Sequence, residues 1–450
     1  MLSTVGKHIR RRDFIHKLAV AALAGITSPF DYARAAISPG EKGIYITNIY
    51  RTKVTSWSYS GGHIVRIETN KGITGYGECR DVDSQAQTWL TILSPYLVGK
   101  NPTRIEDIYN TLLQHWTPLP VSNMKGQEKN GTGAISGLEI ACWDIIGKVY
   151  NVPVHKLLGN KLRDKIPLYA DTDGNSASNV ESRVAKGFKC FKCDMYLDNI
   201  AKSNHTHAST PNNYGYKEIT IHQAGLDQMH AYMDTYRNTL QQFGEPYASA
   251  PIASDHYQNY ASNDQLSVES AIALANDLKT HNGGGWIEDI IDWWIDGFSG
   301  APLKEVMDAT SADAIICTGE DMLGFDQFKK FADLGAVRMI HPEPNTAGGL
   351  NQTSLACKYA ATKGIKTIFH NSSGPIAMTA YAHLAATIPD FVALEYHNMN
   401  ATWHDTLIDG IDKPMIQDGM MNVPEGPGFG FTPNATALAA HGAGTWTKIV

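Results

Sequence analysis

The sequence has no excess of basic residues: 38 lysines and arginines stand against 45 aspartates and glutamates, which leaves a formal net charge of −7 over 450 residues. Proteins that bind nucleic acid usually carry a basic surface, so this composition argues against a nucleic-acid partner. An anionic substrate would need a local cation, either a metal ion or a lysine. Six cysteines are too few for a disulfide scaffold. With 43% hydrophobic and 18% charged residues, the composition is typical of a soluble globular protein.

The first 35 residues contain no apolar run long enough to cross a bilayer, because the run from Leu18 to Ile26 has only nine residues. It follows the cationic sequence Arg10-Arg11-Arg12 and precedes the small-x-small sequence Ala33-Arg34-Ala35. This arrangement resembles a twin-arginine (Tat) export signal. We therefore expect recognition by the Tat export machinery, removal of residues 1–35, and a periplasmic mature protein without membrane insertion. The alternative is a basic amphipathic terminal helix.

The region from about residue 43 to 165 has the pattern of one α+β unit. Strand composition occurs at Ile44–Ser58, His63–Glu68 and Gly72–Glu78. The segment from Thr132 to Tyr150 has apolar residues near a 3.6-residue period, which predicts a helix. Three strands followed by helices are typical of an α+β arrangement.

From Ile166 onward, short apolar runs alternate with helical segments, and most runs end at a polar or ionisable residue. Parallel β/α barrels have this pattern and carry their catalytic groups at the C-terminal ends of the strands. One long repeat contains a polar stretch, Asn199–Tyr216, which we predict to be an inserted loop on the active-site face with His205 and His207 exposed. The eight predicted strands are Ile166–Ala170, Cys190–Cys193, Ile252–Ser254, Gly285–Ile287, Ala314–Thr318, Val337–Ile340, Thr367–Phe369 and Phe391–Leu394.

Three carboxylates, Asp255, Glu288 and Glu320, follow three successive predicted strands at spacings of 33 and 32 residues. Neighbouring parallel strands lie about 4.8 Å apart, so the three side chains should converge. Like charges at one point repel unless a cation neutralises them, and all-oxygen ligands suit Mg²⁺. The alternative is that strand-end acids only cap the following helices.

Lys192 and Asp194 are two residues apart on a predicted strand and therefore share one face of it. Barrel interiors are normally filled by bulky apolar side chains, so a lysine there requires a reason. Near a substrate carboxylate and a metal, that reason is charge stabilisation or proton transfer. The alternative is a structural buried ion pair.

His370 ends the seventh predicted strand, and Glu343 lies just past the end of the sixth. A strand-end carboxylate beside a strand-end histidine forms a dyad, in which the carboxylate fixes the imidazole tautomer and raises its basicity. The pairing, with metal ligands opposite, indicates proton transfer, whereas a histidine without such a partner is more often structural.

Several segments together resemble the mandelate racemase/muconate lactonizing enzyme branch of the enolase superfamily. They occur in the same order as in that family and cover nearly the whole chain after the export signal. The segments are Gly75-Tyr76-Gly77-Glu78, residues 134–148 (AISGLEIACWDIIGK), Pro153-Val154-His155-Lys156-Leu157-Leu158-Gly159, Trp286-Ile287-Glu288-Asp289, Thr318-Gly319-Glu320, Gly348-Gly349-Leu350, Phe369-His370-Asn371 and Leu394-Glu395-Tyr396-His397.

The resemblance implies an α/β fold: an α+β capping domain over residues 36–165, completed by residues 400–450, and a modified (β/α)₇β TIM-type barrel over residues 166–399. It also implies one Mg²⁺ per subunit, for which Mn²⁺ can substitute, an enediolate intermediate and a homo-oligomer. The family's metal ligands map onto Asp255, Glu288 and Glu320. Its histidine base or acid maps onto His370, and its glutamate that donates to the substrate carboxylate maps onto Glu395.

Three positions depart from the family pattern. The racemases have Lys-x-Lys where this chain has Lys192-Cys193-Asp194, so the usual second lysine base is missing. The dyad partner, usually aspartate, is Glu343. Several acid-sugar dehydratases place a histidine two residues after the first metal ligand, where this chain has Tyr257, with His256 beside Asp255. These departures argue against racemization by two bases.

Together, these features predict an acid-sugar dehydratase acting on a small-molecule sugar acid. Lys192, His256, Tyr257 and His370 are the candidates for proton transfer, with Asp194 beside Lys192. Choice of the sugar is expected from cap-loop residues such as Trp57 and Tyr59, and from the insertion. The alternatives are a cycloisomerase or epimerase that uses the same intermediate, and, in another class, a periplasmic binding protein for sugar acids.

Overall fold

The computed structural model describes residues 41–54, 62–80, 85–116, 131–172, 175–197, 200–256, 264–294, 296–397 and 403–450. The predicted export signal, Trp57, Tyr59 and Tyr257 lie outside these residues. No helix within them is both apolar enough and long enough to span a membrane.

An antiparallel sheet forms the base of the N-terminal domain. Its strands are β1 (Ile46–Val54), β2 (Gly62–Thr69) and β3 (Thr74–Arg80). The C-terminal strand β18 (Thr447–Lys448) pairs with β1, so the end of the chain returns to this domain. The helices of the domain are α1 (Ala86–Leu93), α2 (Ile105–His115), α3 (Thr132–Tyr150) and α4 (His155–Leu158), with a 3₁₀ turn at Ser94–Leu97.

Helix α3 lies directly on β3 because two glycines remove the side chains between them. A Cβ atom added to Gly77 would lie 2.0 Å from the Gly137 carbonyl oxygen, and one added to Gly75 would lie 2.2 Å from the Ala141 carbonyl oxygen. Any larger residue would push the helix off the sheet. The helix is apolar on nearly every side, because the sheet, neighbouring helices and barrel cover it.

Among the described residues, eight parallel strands close into a barrel through the pairing of β14 (Phe391–Tyr396) with β4 (Lys165–Thr172), and β16 (Met420–Asn422) adds antiparallel to β4. This confirms the predicted barrel with its α+β cap. The barrel strands are β4 (Lys165–Thr172), β5 (Phe191–Asp194), β8 (Ile252–Asp255), β10 (Trp286–Glu288), β11 (Ile315–Thr318), β12 (Met339–Ile340), β13 (Lys366–Phe369) and β14 (Phe391–Tyr396).

Within the part of the chain that the structure describes, seven helices connect successive barrel strands and cover the outside of the barrel. They are α5 (Ala177–Ala185), α6 (Gln223–Gln241), α7 (Val268–Leu278), α8 (Ala301–Ala309), α9 (Gly324–Leu334), α10 (Leu350–Thr362) and α11 (Pro375–Ala385). After the barrel come β15 (Ile408–Asp409), β17 (Thr432–Pro433), α12 (Ala435–Ala440) and a 3₁₀ turn at His404–Leu407.

The polar insertion after β5 contains a strand, so the predicted loop at residues 199–216 is wrong over residues 205–211. Strand β6 (His205–Pro211) pairs with β7 (Lys217–Ile221), which pairs with β9 (Asp264–Leu266). A short 3₁₀ turn at Lys202–Asn204 precedes them. No residue of β6 is buried, so the strand lacks the apolar alternation that identifies a half-buried strand in a sequence.

Two buried glutamates of the cap bind the N-termini of barrel helices. Glu139 on α3 accepts hydrogen bonds from the backbone N–H groups of Leu350 (2.9 Å) and Asn351 (3.0 Å) at the start of α10. Glu78 on β3 does the same for α11, accepting from Gly374 and Ala377. Both carboxylates occupy positions where a helix leaves N–H groups unpaired. They fix the cap against the barrel beside the ends of β12 and β13.

Candidate active site

A ring of ionisable side chains lies at the C-terminal end of the barrel because of strand alternation. The inner apolar layer includes Tyr169, Ala253, Trp286, Met339, Ile368 and Ala393. Residues two positions later on each strand point the same way. Those residues are all ionisable: Asp171, Asp255, Glu288, His341, His370 and Glu395. Lys192 and Asp194 on β5 belong to the same ring.

The three predicted metal ligands follow three neighbouring strands of the barrel. Asp255 and Glu288 are partners in the register of β8 and β10, and Glu320 follows β11. All three are buried. Burial, and then the neighbouring charge of Glu288, raises the pKa of the Asp255 carboxyl well above its ordinary value although Lys192 opposes the shift. The site therefore carries more negative charge than its cations balance, and its oxygen-only donors fit Mg²⁺.

Lys192 contributes a buried ammonium group to the site. Its ammonium group lies 2.7 Å from Glu395, 3.1 Å from Asp255 and 3.2 Å from Glu288. Burial disfavours the charged amine, but Glu288 and the other two carboxylates hold the pKa of Lys192 well above its ordinary value. Lys192 is thus a fixed positive charge, which suits charge stabilisation better than proton abstraction.

His370 and Glu343 form the predicted dyad. His370 Nδ1 lies 2.7 Å from Glu343 Oε2, and His370 Nε2 faces Glu320 Oε2 at 2.9 Å. Burial favours the neutral ring, but Glu320, Glu395 and Glu343 raise the pKa of His370 to about 10. A metal ion bound at Glu320 would compete with the imidazolium for that carboxylate and weaken its hold on the proton.

Two groups that the sequence analysis missed hold Glu343 in place. The Arg80 guanidinium at the end of β3 lies 2.6 Å from Glu343 Oε2, and the Ser373 hydroxyl donates to Oε1 at 3.0 Å. Glu343 itself is fully buried. Arg80 therefore brings the cap into direct contact with the dyad, a contact between residues 263 positions apart that no local pattern shows.

A second histidine–carboxylate pair, also missed, lies across Glu395. His397 Nδ1 is 2.8 Å from Asp171 Oδ2, and His397 Nε2 is 3.1 Å from Glu395 Oε1. Burial favours the neutral ring, but Asp171 and Glu395 raise the pKa of His397 well above its ordinary value. The available signal was the alternation on β14, since His397 is two residues after Glu395 and shares its face.

His341 is a third strand-end histidine, and it positions a metal-ligand candidate. Its Nε2 lies 2.8 Å from the Tyr169 hydroxyl, and its Nδ1 lies 3.0 Å from Glu288 Oε1. The Trp286 indole donates to the other oxygen of Glu288 at 2.7 Å. His341, together with Trp286 of the inner apolar layer, thus fixes the orientation of the Glu288 carboxylate.

Three other residues named in the sequence analysis, Asp194, His256 and His207, lie in different places. Asp194 is a register partner of Asp255 and accepts a hydrogen bond from the Tyr196 hydroxyl at 2.7 Å. Burial, and then Asp171, raises the pKa of Asp194 to about 7. The structure does not bring His256 into the ring: its Nε2 lies 3.0 Å from the hydroxyl of Ser254, and these two residues flank Asp255 in the sequence at the end of β8. His207, in the insertion, lies 2.8 Å from Asp264.

Comparison with known families matches two parts of the chain. Residues 48–159 match the mandelate racemase/muconate lactonizing enzyme N-terminal domain, and residues 175–437 match the enolase C-terminal domain-like family. Together they include all the described ring residues except Asp171.

Curated relatives are similar over most of their length. A D-xylonate dehydratase of Haloferax volcanii is 27% identical over 380 residues, which are 84% of this chain and 84% of that protein. A D-galactonate dehydratase family member of Musicola paradisiaca is 27% identical over 436 residues, covering 89% of this chain and 96% of that protein.

Solved structures share the fold. A mandelate racemase/muconate lactonizing enzyme from Jannaschia sp. superposes with a TM-score of 0.69 at 24% identity, covering 88% of this chain and 97% of that one. An enolase from Pantoea ananatis with bound D-gluconate and Mg has a TM-score of 0.67 at 23% identity, covering 88% and 94%.

Proposed function

Because the chain belongs to the mandelate racemase/muconate lactonizing enzyme family of the enolase superfamily, we propose that it is an acid-sugar dehydratase. The reaction removes the C2 proton of an aldonate and expels the C3 hydroxyl. The observation that carries this proposal is the pair of histidine–carboxylate dyads on the two sides of Glu395. Elimination of water needs one group that accepts a proton and one that delivers a proton. The names of the dehydratase relatives support the same substrate class.

Asp255, Glu288 and Glu320 would hold Mg²⁺ in this proposal. When bound, the ion supplies positive charge opposite the substrate carboxylate and makes the neighbouring C–H more acidic. Lys192 and Glu395 face the same region. The ammonium group of Lys192 compensates the negative charge that develops on the substrate carboxylate when the C2 proton leaves. Burial favours the neutral acid, but Lys192, His397 and His370 hold the pKa of Glu395 well below its ordinary value, so Glu395 is an ionised group that orients these three cations.

We assign the two proton transfers to His370 and His397, one to each. One imidazole takes the C2 proton, and the C–H electron pair moves toward the carboxylate. The electrons then return to form the C2=C3 double bond as the C3–O bond breaks, and the other imidazole protonates the leaving hydroxyl, which departs as water. The enol product rearranges to a 2-keto-3-deoxy acid. Glu343 and Asp171 hold the rings with Nε2 toward the reacting atoms.

An epimerase or cycloisomerase on a related acid sugar is the second candidate. The observation that favours it is the same pair of histidines, since a second proton-transfer group can return a proton to C2 instead of protonating the leaving hydroxyl. Because position 194 is aspartate, the chain lacks the Lys-x-Lys pair of the racemases. Return of a proton to C2 by the second histidine does not need that pair.

Incubation of the Mg²⁺-loaded protein with a panel of acid sugars in D₂O separates these activities. Dehydration gives a 2-keto-3-deoxy product, which semicarbazide detects, and release of water. Epimerisation gives isomers deuterated at C2. A sugar-acid binding protein gives neither, although calorimetry would detect binding. A 2-keto-3-deoxy product from at least one aldonate is expected, and binding without any turnover across the panel would contradict the proposal.

A further inference from the structure

Two histidines and two aspartates converge on the outside of the barrel, away from the catalytic ring. His230 and Asp234 are one turn apart on α6, whereas Asp277 lies in the last turn of α7 and His281 follows it. Asp277 and His281 precede β10, so they lie toward the amino ends of the strands. The catalytic carboxylates are at the opposite, carboxyl ends. None of these four residues has a part in the proposed reaction.

The four side chains approach one another closely. One ligand atom from each of His230, Asp277 and His281 lies within 4.8 Å of the other two. The two imidazole rings have their centroids only 3.6 Å apart. All four side chains are between about a quarter and two-fifths exposed, at 31%, 41%, 33% and 27% for His230, Asp234, Asp277 and His281. An ion from solvent can therefore reach them.

Asp234 fixes the orientation of both rings. Its Oδ2 lies 3.1 Å from His230 Nε2, and its Oδ1 lies 3.1 Å from His281 Nδ1. If each of these nitrogens carries the hydrogen, the unprotonated atoms are His230 Nδ1 and His281 Nε2. A carboxylate that fixes an imidazole tautomer in this way is the usual support of a metal-binding histidine.

The spacing on the other side of His230 fits a shared ion. His230 Nδ1 lies 3.3 Å from Asp277 Oδ2 and 3.4 Å from Oδ1. Ligands about 2.0–2.1 Å from a tetrahedral zinc ion are separated by about 3.3–3.4 Å. Asp277 Oδ2 is shielded from solvent and accepts no hydrogen bond of good geometry from a described residue.

We propose that His230, Asp277 and His281 form a second metal site, which takes a borderline transition-metal cation such as Zn²⁺, with Asp234 as the residue that orients both imidazoles. Mixed imidazole and carboxylate ligands suit Zn²⁺, whereas Mg²⁺ prefers oxygen alone. The ion would join α6 to the end of α7 and stabilise the outer layer of the barrel. A rival explanation is a charge cluster in which a protonated His230 bridges Asp234 and Asp277.

The test measures Zn²⁺ uptake by untagged protein in equilibrium dialysis, with Mg²⁺ in large excess to occupy the catalytic site. One Zn²⁺ per chain should bind, with a rise in Tm of about 2–4 °C. His281→Ala and the more conservative Asp277→Asn should each lose that ion and the rise in Tm while keeping catalytic turnover. Asp234→Asn should weaken Zn²⁺ binding by about 10–100-fold.

Two controls identify the location of the ion. His207→Gln removes a different histidine that faces an aspartate, Asp264, and should leave uptake unchanged. Glu288→Gln alters the catalytic ring and should also retain the Zn²⁺. Equal uptake by wild type and His281→Ala, loss of uptake in either control, or no uptake by the wild type would each overturn the proposal. The last result would leave the charge cluster as the explanation.

Discussion

Glu395 lies between His370 and His397, with Oε2 3.5 Å from His370 Nε2 and Oε1 3.1 Å from His397 Nε2. Each histidine has its own carboxylate behind it, Glu343 or Asp171. The ring centroids are 5.7 Å apart. Two oriented imidazoles on either side of one carboxylate are a suitable arrangement for moving one proton off a substrate and another onto it.

Activity should require Mg²⁺ or Mn²⁺ and disappear in EDTA. Asp255, Glu288 and Glu320 place three carboxylates at the ends of neighbouring strands, and a cation must balance their negative charge. Glu288→Gln should lose the bound metal and nearly all turnover, with little change in far-ultraviolet circular dichroism, since the substitution is at a strand end. Glu181→Gln, on the exposed surface of α5, is the control. Full turnover by rigorously metal-free wild type would contradict the expectation.

Glu139→Gln should destabilise the protein by about 1–3 kcal/mol, because the new amide nitrogen would face a backbone N–H at the start of α10 or leave one unpaired. Glu139 also accepts from the Trp143 indole at 2.8 Å, so no oxygen is spare. Denaturant unfolding measures the change, with Glu181→Gln as the matched glutamate-to-glutamine control. A loss no larger than that of the control would mean that Glu139 does not hold the cap to the barrel.

Stability should fall as pH falls below about 6.5, partly because of His383. The backbone N–H of His155 donates to His383 Nδ1 at 3.2 Å, and His383 Nε2 lies 3.2 Å from the Phe429 carbonyl oxygen. The imidazole of His383 is therefore neutral in the folded protein. Burial, and then His155, lowers the pKa of His383 to about 3. Between pH 6.5 and 3 the unfolded state therefore binds a proton that the folded state does not, and each pH unit costs about 1.4 kcal/mol.

His383→Asn should flatten this pH dependence, because the asparagine Oδ1 can still accept from the backbone N–H of His155, as Nδ1 does, without taking up a proton. Denaturant unfolding from pH 7 to about pH 4.5 measures the slope, and His222→Asn, at an exposed histidine, is the control. If both variants keep the wild-type slope, the acid sensitivity has another origin, such as the buried His256 and His404.

Export through the Tat pathway remains a prediction from residues 1–35. Replacing Arg11 and Arg12 with lysine should trap full-length precursor in the cytoplasm, since Tat recognition depends on the arginine pair. Cell fractionation with immunoblotting measures the distribution. Unchanged periplasmic accumulation of the processed protein would contradict the prediction.

Local patterns were sufficient for the barrel because each strand carries its apolar residues inward and ends in one polar side chain. Position at the strand ends located Asp255, Glu288 and His370, and two-residue alternation placed Lys192 on the same face as Asp194. It did not indicate that Asp171 and His397 meet, because that contact depends on closure of the barrel between β14 and β4.

Two further features could not be predicted from local patterns. Arg80 reaches Glu343 only because the cap packs over the barrel, which is a long-range contact. Strand β6 is mostly polar and has no buried residue, so tertiary pairing with β7, rather than periodicity, makes it a strand. Such features arise from how elements pack, and a sequence pattern within one element carries no signal of them.

The most direct measurement follows C2–H exchange and product formation together, by NMR in D₂O, for wild type, His370→Asn and His397→Asn on an aldonate that the wild type dehydrates. Each variant should lose at least about 10²-fold in kcat. Glu343→Gln and Asp171→Asn should lose less and shift the pH–rate profile, because they alter an imidazole without removing it.

The two histidine variants should differ in what they retain. The variant that lacks the base should lose exchange and product together, whereas the one that lacks the acid should still exchange deuterium into C2 without making product. This split would establish that the two dyads divide the proton transfers. Near-wild-type product formation by His370→Asn or by His397→Asn would contradict the account, because that histidine would then be structural.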